Sequence, residues 1–181
     1  MNWISSTGGP SIIISNKSKE NWSGVATYKS IKEGEFIEAE DFLDPSQCHY
    51  GRACTIEDYL GIIDFSEGEK VIVIGDEPSS ITILMDADTL YIIKWYSGES
   101  KESFEQYINL KNFEQVKWNL ELNVELNLRD YVLMDASAVG LDLEGEEMIH
   151  FHMKKGNYLV YTGVYDPDEK TRMILHKLAP Q

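Results

Sequence analysis

Two histidines placed two residues apart are the clearest candidates for metal binding. His150 and His152 would share one face of a strand, because alternate side chains of a strand point to the same side. Such a pair becomes a metal site when a third ligand approaches. Ile149, Phe151 and Met153 form the opposite, apolar face, so we interpret the histidines as surface or partly buried residues. The sequence predicts no metal site, and metal binding is kept as an alternative.

A nucleophilic cysteine is the second chemical possibility. Cys54 would need His49 as its base and Asp58 as an orienting group, but the spacing gives no sign that the three meet. Cys48 and Cys54 also lack the paired CxxC spacing of a structural zinc site. No glycine-rich phosphate loop and no nucleophile elbow are present. We therefore predict buried cysteines, no catalytic residue, no cofactor and a protein that is not an enzyme.

Two carboxylates stand together at Asp76 and Glu77, where they could face a cation or a partner. Gly75 precedes them and Pro78 follows them. A strand that ends in glycine and is followed by aspartate and proline is typical of a tight turn, and a turn is our prediction here.

The most uneven charge distribution lies between Glu33 and Asp44, which we call the acidic segment. It has six carboxylates, no basic residue, and four apolar side chains that alone could tie it to a core. The carboxylates are Glu33, Glu35, Glu38, Glu40, Asp41 and Asp44, and the apolar side chains are Phe36, Ile37, Phe42 and Leu43. We predict a surface loop or short helix ending at Pro45. Charge runs are usually solvated surface, and the functional alternative is docking of an electropositive partner.

A second acidic run has the same two interpretations. It consists of Asp142, Glu144, Glu146 and Glu147.

The whole chain is strongly acidic. Its 181 residues carry a formal net charge of −15, so phosphate groups would repel it, and we predict no nucleic-acid partner and no membrane partner. The beginning of the chain lacks the pattern of a signal peptide, and no apolar run is long enough to span a membrane. We therefore predict a cytoplasmic protein with free thiols. Its oligomeric state is left open.

Residues 116–128 form the element around which we expect a sheet to be built. Apolar and polar side chains alternate there without a fault, the pattern of a strand with one buried face. We predict earlier strands at 11–15 and 25–31, and antiparallel hairpins between 59 and 96. A helix is predicted near 100–110, where serines are available as caps.

These elements predict an α+β fold that is strongly β-rich. We expect an antiparallel meander in the N-terminal half, a β-sandwich-like C-terminal half, and one or two short helices. The predicted domains are an N-terminal β-rich lobe, 1–111, which includes the helix near 100–110, and a C-terminal antiparallel β lobe, 112–181. Both lobes are expected to belong to one compact unit.

Short landmarks are spread in order along nearly the whole chain. The first half has Trp3-Ile4, Gly8-Gly9-Pro10, Trp22-Ser23-Gly24, Tyr50, Arg52-Ala53-Cys54, Tyr59-Leu60-Gly61 and Gly75-Asp76-Glu77-Pro78. The second half has Asp135-Ala136, Gly140, Gly156, Tyr158, Tyr165, Pro167-Asp168 and Leu175-His176-Lys177-Leu178. In this order they resemble the immunity protein twenty-one family of bacterial polymorphic-toxin systems. The sequence departs from the family pattern at Gly51, where aspartate is expected, and at Gly98, where an acidic or serine-rich stretch is more usual.

The resemblance implies a cytoplasmic immunity protein, or antitoxin, that binds a cognate toxin domain and neutralises it. A strongly acidic binder suits a basic toxin such as a nuclease, whose nucleic-acid groove attracts carboxylates in place of phosphates. The predicted toxin-binding residues are Glu33, Glu35, Phe36, Glu38, Glu40, Asp41, Phe42 and Asp44. Either Phe36 or Phe42 would be the apolar anchor.

The family landmarks themselves are interpreted as mainly architectural. They are Gly8, Gly9, Pro10, Trp22, Gly24, Arg52, Cys54, Gly75, Asp76, Glu77 and Pro78. Glycine permits turns and positive φ, tryptophan fills a core, and arginine makes charge-assisted bonds. The alternative function is a small-ligand- or metal-binding β domain without catalysis.

Overall fold

The computed structural model describes residues 1–6, 8–75 and 80–181, with the backbone alone at Glu67. Its strands are β1 (Ile4–Ser5), β2 (Ser11–Ser15), β3 (Leu60–Asp64), β4 (Lys70–Ile74), β5 (Ser80–Asp86), β6 (Thr89–Ser97), β7 (Asn119–Leu126), β8 (Asp130–Asp135), β9 (Met148–His152), β10 (Gly156–Tyr165) and β11 (Arg172–Pro180). Its α-helices are α1 (Tyr28–Glu33), α2 (His49–Ala53), α3 (Lys101–Glu105) and α4 (Leu110–Phe113). Short 3-10 helices occupy Lys19–Asn21, Ser66–Gly68 and Gly145–Glu147. The predicted α+β, strongly β-rich class is confirmed.

The described residues form two compact units that interleave along the sequence. The first unit contains 1–3, 79–126 and 155–181, and the second contains 4–78 and 127–154. The two predicted lobes divide the chain differently, and that division stays a prediction.

The first unit is built on an antiparallel sheet in which β5, β6, β11, β10 and β7 follow one another. One face of the sheet is covered by an aromatic cluster. Phe104 of α3 is fully buried there, and its ring stacks on Trp95 with the centroids 4.8 Å apart. Trp3 contacts the same ring edge-on at 5.7 Å. Aromatic side chains bury large apolar areas, so this cluster explains why the short helices stay on the sheet.

The second unit is built on a sheet with the strand order β3-β4-β2-β8-β9, and every neighbouring pair is antiparallel. The central strand β2 is buried along its whole length, as the apolar run at 11–15 predicts. β2 bonds to β8, which lies more than a hundred residues later in the chain. The strands of the two sequence halves therefore mix within one sheet, instead of forming a separate meander and a separate sandwich.

The strand predicted over 116–128 is present but shorter, and it lies at an edge. β7 covers Asn119–Leu126 and ends the order of its sheet. Only Val124 and Leu126 of its apolar face are buried, whereas Leu120 is exposed. The alternation identifies the strand correctly, but an edge strand has a neighbour on one side only, so much of its apolar face stays in water.

The helix predicted near 100–110 is present as two short helices. Ser100 caps α3 by accepting a hydrogen bond from the Ser103 amide at 3.2 Å, and Asn109 caps α4 by accepting one from the Asn112 amide at 2.9 Å. A side-chain cap competes with the interior of a helix, which explains the break before Leu110. Across the described residues there are four α-helices where one or two were predicted, and none is long and apolar enough to cross a membrane.

Candidate functional site: an exposed acidic segment

The acidic segment begins at the end of α1. Thr27 caps this helix, because its Oγ1 accepts a hydrogen bond from the Ser30 amide at 3.1 Å. Gly34 ends the helix in the left-handed conformation with φ of 71°, and its amide bonds to the Ile31 carbonyl at 3.3 Å. The strand predicted over 25–31 is wrong, since a threonine cap and a glycine stop enclose a helical turn there.

Backbone hydrogen bonds fix the middle of the segment. The Thr27 amide donates to the Ile37 carbonyl at 3.0 Å, and the Ala39 amide donates to the Val25 carbonyl at 3.0 Å. Together they make an isolated antiparallel bridge. Ala39 is 5% exposed and packs in the core of the second unit. The backbone of this part of the segment is therefore held in one place.

Asp41 and Asp44 are used inside the segment. Asp41 Oδ1 accepts from the Leu43 amide at 3.0 Å, and Asp44 Oδ1 accepts from the Ser46 amide at 2.8 Å. Hydrogen bonds from the Ser46 amide and hydroxyl hold the pKa of Asp44 below its usual value. These two carboxylates, predicted to contact a toxin, already stabilise turns within the protein.

The apolar side chains of the segment face water. Phe36 is 58% exposed, Ile37 48%, Phe42 41% and Leu43 56%. These were the only side chains that could tie the segment to a core. Phe42 does contact the buried Tyr50, with ring centroids 5.9 Å apart, and Ala39 and the backbone bonds also hold the segment. Exposed apolar side chains grouped on a protein surface are typical of an interaction surface.

Three further carboxylates stand among these apolar side chains. Glu35, Glu38 and Glu40 are exposed, and within the described part of the chain their carboxylates have no hydrogen bond or ion pair. Glu33 forms an exposed ion pair with Lys29 at 3.6 Å, which water and salt screen. The arrangement presents unpaired negative charge beside apolar side chains on a fixed backbone. Sequence reasoning missed Ile37 and Leu43 as members of this surface.

Trp22 and Gly24, two of the family landmarks, lie in the core of the second unit. Trp22 is fully buried, and its Nε1 donates to the Ala136 carbonyl at 2.8 Å. A Cβ atom on Gly24 would lie 2.3 Å from the carbonyl oxygens of Ser137 and Ala138. Both residues therefore have tight structural surroundings, and the absence of a partner-binding role for them stays a prediction.

The other landmarks are distributed around the same unit. Gly9 packs on Tyr50 so closely that a Cβ atom would overlap the ring, and Pro10 is buried. The half-buried Arg52 donates to the Asp64 carbonyl oxygen, a charge-assisted bond of the kind that we predicted. Gly75 donates its amide to the Tyr59 carbonyl at 3.0 Å. Two further landmarks are described, Gly8 with φ of 135° and Cys54. The turn predicted at Asp76, Glu77 and Pro78 lies outside the described residues.

The residues of the hypothetical cysteine site have other partners. Cys54 is half-buried and shares a hydrogen bond with the Tyr50 hydroxyl, and burial raises the pKa of its thiol. His49 Nδ1 accepts from the Ser23 amide at 2.9 Å, and Asp58 is exposed. A nucleophilic cysteine needs a lowered pKa, so the surroundings of Cys54 act against thiolate formation.

His150 and His152 share the exposed face of β9, and Ile149, Phe151 and Met153 are buried behind them, as the alternation predicts. His152 Nδ1 lies 2.6 Å from an Asp130 carboxylate oxygen. Among the described residues, no group of three or more histidine, cysteine or carboxylate side chains is arranged to hold a metal ion.

The sequence matches the family model described as Immunity protein 21 over residues 2–171. No curated protein and no solved structure shows a significant match to the chain. The matched range contains the acidic segment and most of both compact units.

Proposed function

The chain belongs to the immunity protein 21 family, and on that premise we propose that it binds a cognate toxin domain and neutralises it stoichiometrically, without catalysis. The toxin would come from a polymorphic-toxin system, and the two proteins would meet in the cytoplasm of the producing cell. Neutralisation then requires only that the bound protein covers the toxin's working surface.

One observation supports the acidic segment as the docking surface: its backbone is fixed while its carboxylates and apolar side chains are exposed. A fixed backbone lowers the entropy cost of binding, because the loop need not be ordered when the partner arrives. Glu35, Glu38 and Glu40 supply the charge, and Phe36 supplies an apolar anchor. Loops held on a rigid scaffold are common recognition sites.

The negative charge of the acidic segment favours a toxin with a basic surface. A nuclease domain has a basic cleft for phosphates, and carboxylates can occupy the same cleft. The net charge of −15 on the whole chain adds long-range attraction to such a domain. We therefore propose a basic toxin, with a nuclease as the leading candidate.

The test begins with the toxin domain encoded directly upstream of this chain in its native operon. Co-expression should rescue growth, and the two proteins should co-purify as a stable complex. A harmless neighbour, or one that does not bind, would remove the main support for this function.

Charge reversal then tests the docking surface. The triple variant Glu35→Lys, Glu38→Lys and Glu40→Lys should slow association about tenfold or more at low salt, because steering depends on charge near the contact. The matched control is Glu114→Lys, Glu121→Lys and Glu125→Lys, three exposed residues outside the segment, which change the net charge equally. Stopped-flow or surface plasmon resonance measures the association rate of each variant with the toxin at low salt and at about 0.5 M NaCl. Equal effects of the two variants would place the docking surface elsewhere.

A further inference from the structure

An open pocket of about 550 Å³ lies in the second unit, next to α1 and α2. Its lining includes Tyr28, Lys32, His49, Arg52, Phe65 and Ser66. Ligand pockets of this size are usually aromatic with a few convergent polar groups. The chain has nearly twice as many acidic as basic residues, yet the described side chains that line this pocket include two cationic ones and no carboxylate.

Arg52 provides a positive charge in the pocket and has no ion pair with any described residue. Its Nη2 donates to the Asp64 carbonyl oxygen, and the Tyr28 hydroxyl is a second hydrogen-bond partner; both acceptors are neutral. The Asp64 carboxylate is ion-paired with Lys70 and also interacts electrostatically with the Arg52 guanidinium, from beyond ion-pairing distance. Within the described part of the chain, no carboxylate is at ion-pairing distance from the guanidinium, which leaves N–H donors available.

Lys32 provides the second charge. It lies in the last turn of α1 and is exposed. Unlike Lys29 on the same helix, which pairs with Glu33 at 3.6 Å, Lys32 has no ion pair or side-chain hydrogen bond to any described residue. Its flexible side chain can therefore turn toward a group bound in the pocket.

His49 forms an aromatic wall. Its Nδ1 accepts from the Ser23 amide at 2.9 Å, so the neutral ring carries its proton on Nε2, a donor. Burial, with a contribution from Arg52, lowers the pKa of His49 to about 4 and keeps it neutral. The ring packs against Tyr28 and Phe65 with centroid separations of 4.7 and 4.9 Å. The wall is therefore packed in place before any ligand arrives.

We propose that this pocket binds an oxyanion, a carboxylate or phosphate group, through Arg52 and Lys32. A guanidinium offers paired N–H donors that match an oxyanion, and lysine adds a mobile point charge. A planar group attached to the oxyanion would lie against the aromatic wall. The oxyanion can belong to a free small molecule or to a side chain of a protein partner. The site uses no residue of the acidic segment and gives the chain a second binding element of opposite charge.

The test titrates the intact protein with inorganic phosphate and with benzoate, and follows backbone amide NMR signals against NaCl of equal ionic strength. Both anions should bind saturably, benzoate more tightly because of the aromatic wall. Arg52→Gln should abolish binding, with its fold checked by circular dichroism. Lys32→Gln should weaken binding about threefold or more, and it tests the proposal even if the arginine variant unfolds. Lys29→Gln, an equal charge loss on the same helix but outside the pocket, should bind like the wild type.

The outcomes separate the two sources of the oxyanion. Saturable binding that depends on Lys32 but not on Lys29 establishes a site open to free anions. If neither anion binds but Lys32→Gln alone weakens the toxin complex, the oxyanion is a side chain of the partner. If neither anion binds and both lysine variants hold the toxin equally, the proposal is overturned, whereas the role of the acidic segment is unaffected.

Discussion

Gly24 and Gly34 are two glycines that both have a positive φ but lie in different surroundings. Gly24 has φ of 54° and Gly34 has φ of 71°, where an alanine costs about 1 kcal/mol. A Cβ atom on Gly24 would also overlap the carbonyl oxygens of Ser137 and Ala138, whereas nothing lies within 4 Å of one on Gly34. We expect Gly24→Ala to lower the free energy of unfolding by about 3 kcal/mol and Gly34→Ala by about 1 kcal/mol. Urea unfolding measures both, and equal losses would contradict the close contact at Gly24.

The residue types of the acidic segment could be predicted from the sequence, but their roles could not. Charge alone placed Asp41 and Asp44 with the other carboxylates, although backbone amides bind both of them. Ile37 and Leu43, named only as side chains that could tie the segment to a core, are exposed. Which carboxylate caps a turn and which apolar side chain stays in water depends on the neighbouring backbone, which no single position encodes.

At the scale of elements, β7 permits a matched comparison along one strand. Leu120 is 58% exposed and Leu126 is 3% exposed. We expect Leu126→Ala to lower the free energy of unfolding by about 3 kcal/mol, and Leu120→Ala to change it by no more than about 0.5 kcal/mol. Chemical unfolding of the two variants checks this. If Leu120→Ala costs as much as Leu126→Ala, the strand is buried along its length, as its sequence pattern alone predicts.

Strict alternation and turn signals located most strands of the protein, since both are local properties. The predicted strand at 11–15 has the observed bounds of β2. Alternation cannot tell an edge strand from a central one, because the neighbours of a strand come from distant parts of the chain. The strand predicted at 25–31 failed for a local reason, because Thr27 and Gly34 mark a helix start and stop that outweigh the short apolar run.

At the scale of the whole molecule, the structure differs from the prediction in which strands pair with each other. β2 bonds to both β4 and β8, and β6 bonds to β11. Composition and periodicity predicted the β-rich class, but they carry no information on these partners, which depend on long-range packing. The strongly negative charge was read correctly from composition, and its concentration on a fixed, exposed surface became visible only in the fold.

Two imidazoles are kept neutral inside the protein, and they make its stability depend on pH. His176 is fully buried; its Nδ1 bonds with the Thr162 hydroxyl at 2.9 Å, and its Nε2 has no partner among the described residues. Burial, with the charge of Lys94, lowers the pKa of His176 to about 3, and burial with Arg52 lowers the pKa of His49 to about 4. Among the described residues, neither imidazole has a carboxylate bonded to it that would favour its charged form.

The unfolded chain gains stability from protonating these histidines below their ordinary pKa of 6.5, whereas the folded protein does not protonate them until near pH 4 or 3. The free energy of unfolding should therefore be highest above pH 6.5 and fall below it, by about 2 kcal/mol for each histidine between about pH 7.5 and about pH 5. Urea unfolding across this range measures the slope. His176→Gln should halve it, even if that variant is less stable at every pH. The control is His150→Gln, whose imidazole is exposed in the folded protein, and it should keep the wild-type slope of unfolding free energy against pH. If His176→Gln also keeps the full slope, carboxylates and not the buried imidazole set the pH dependence.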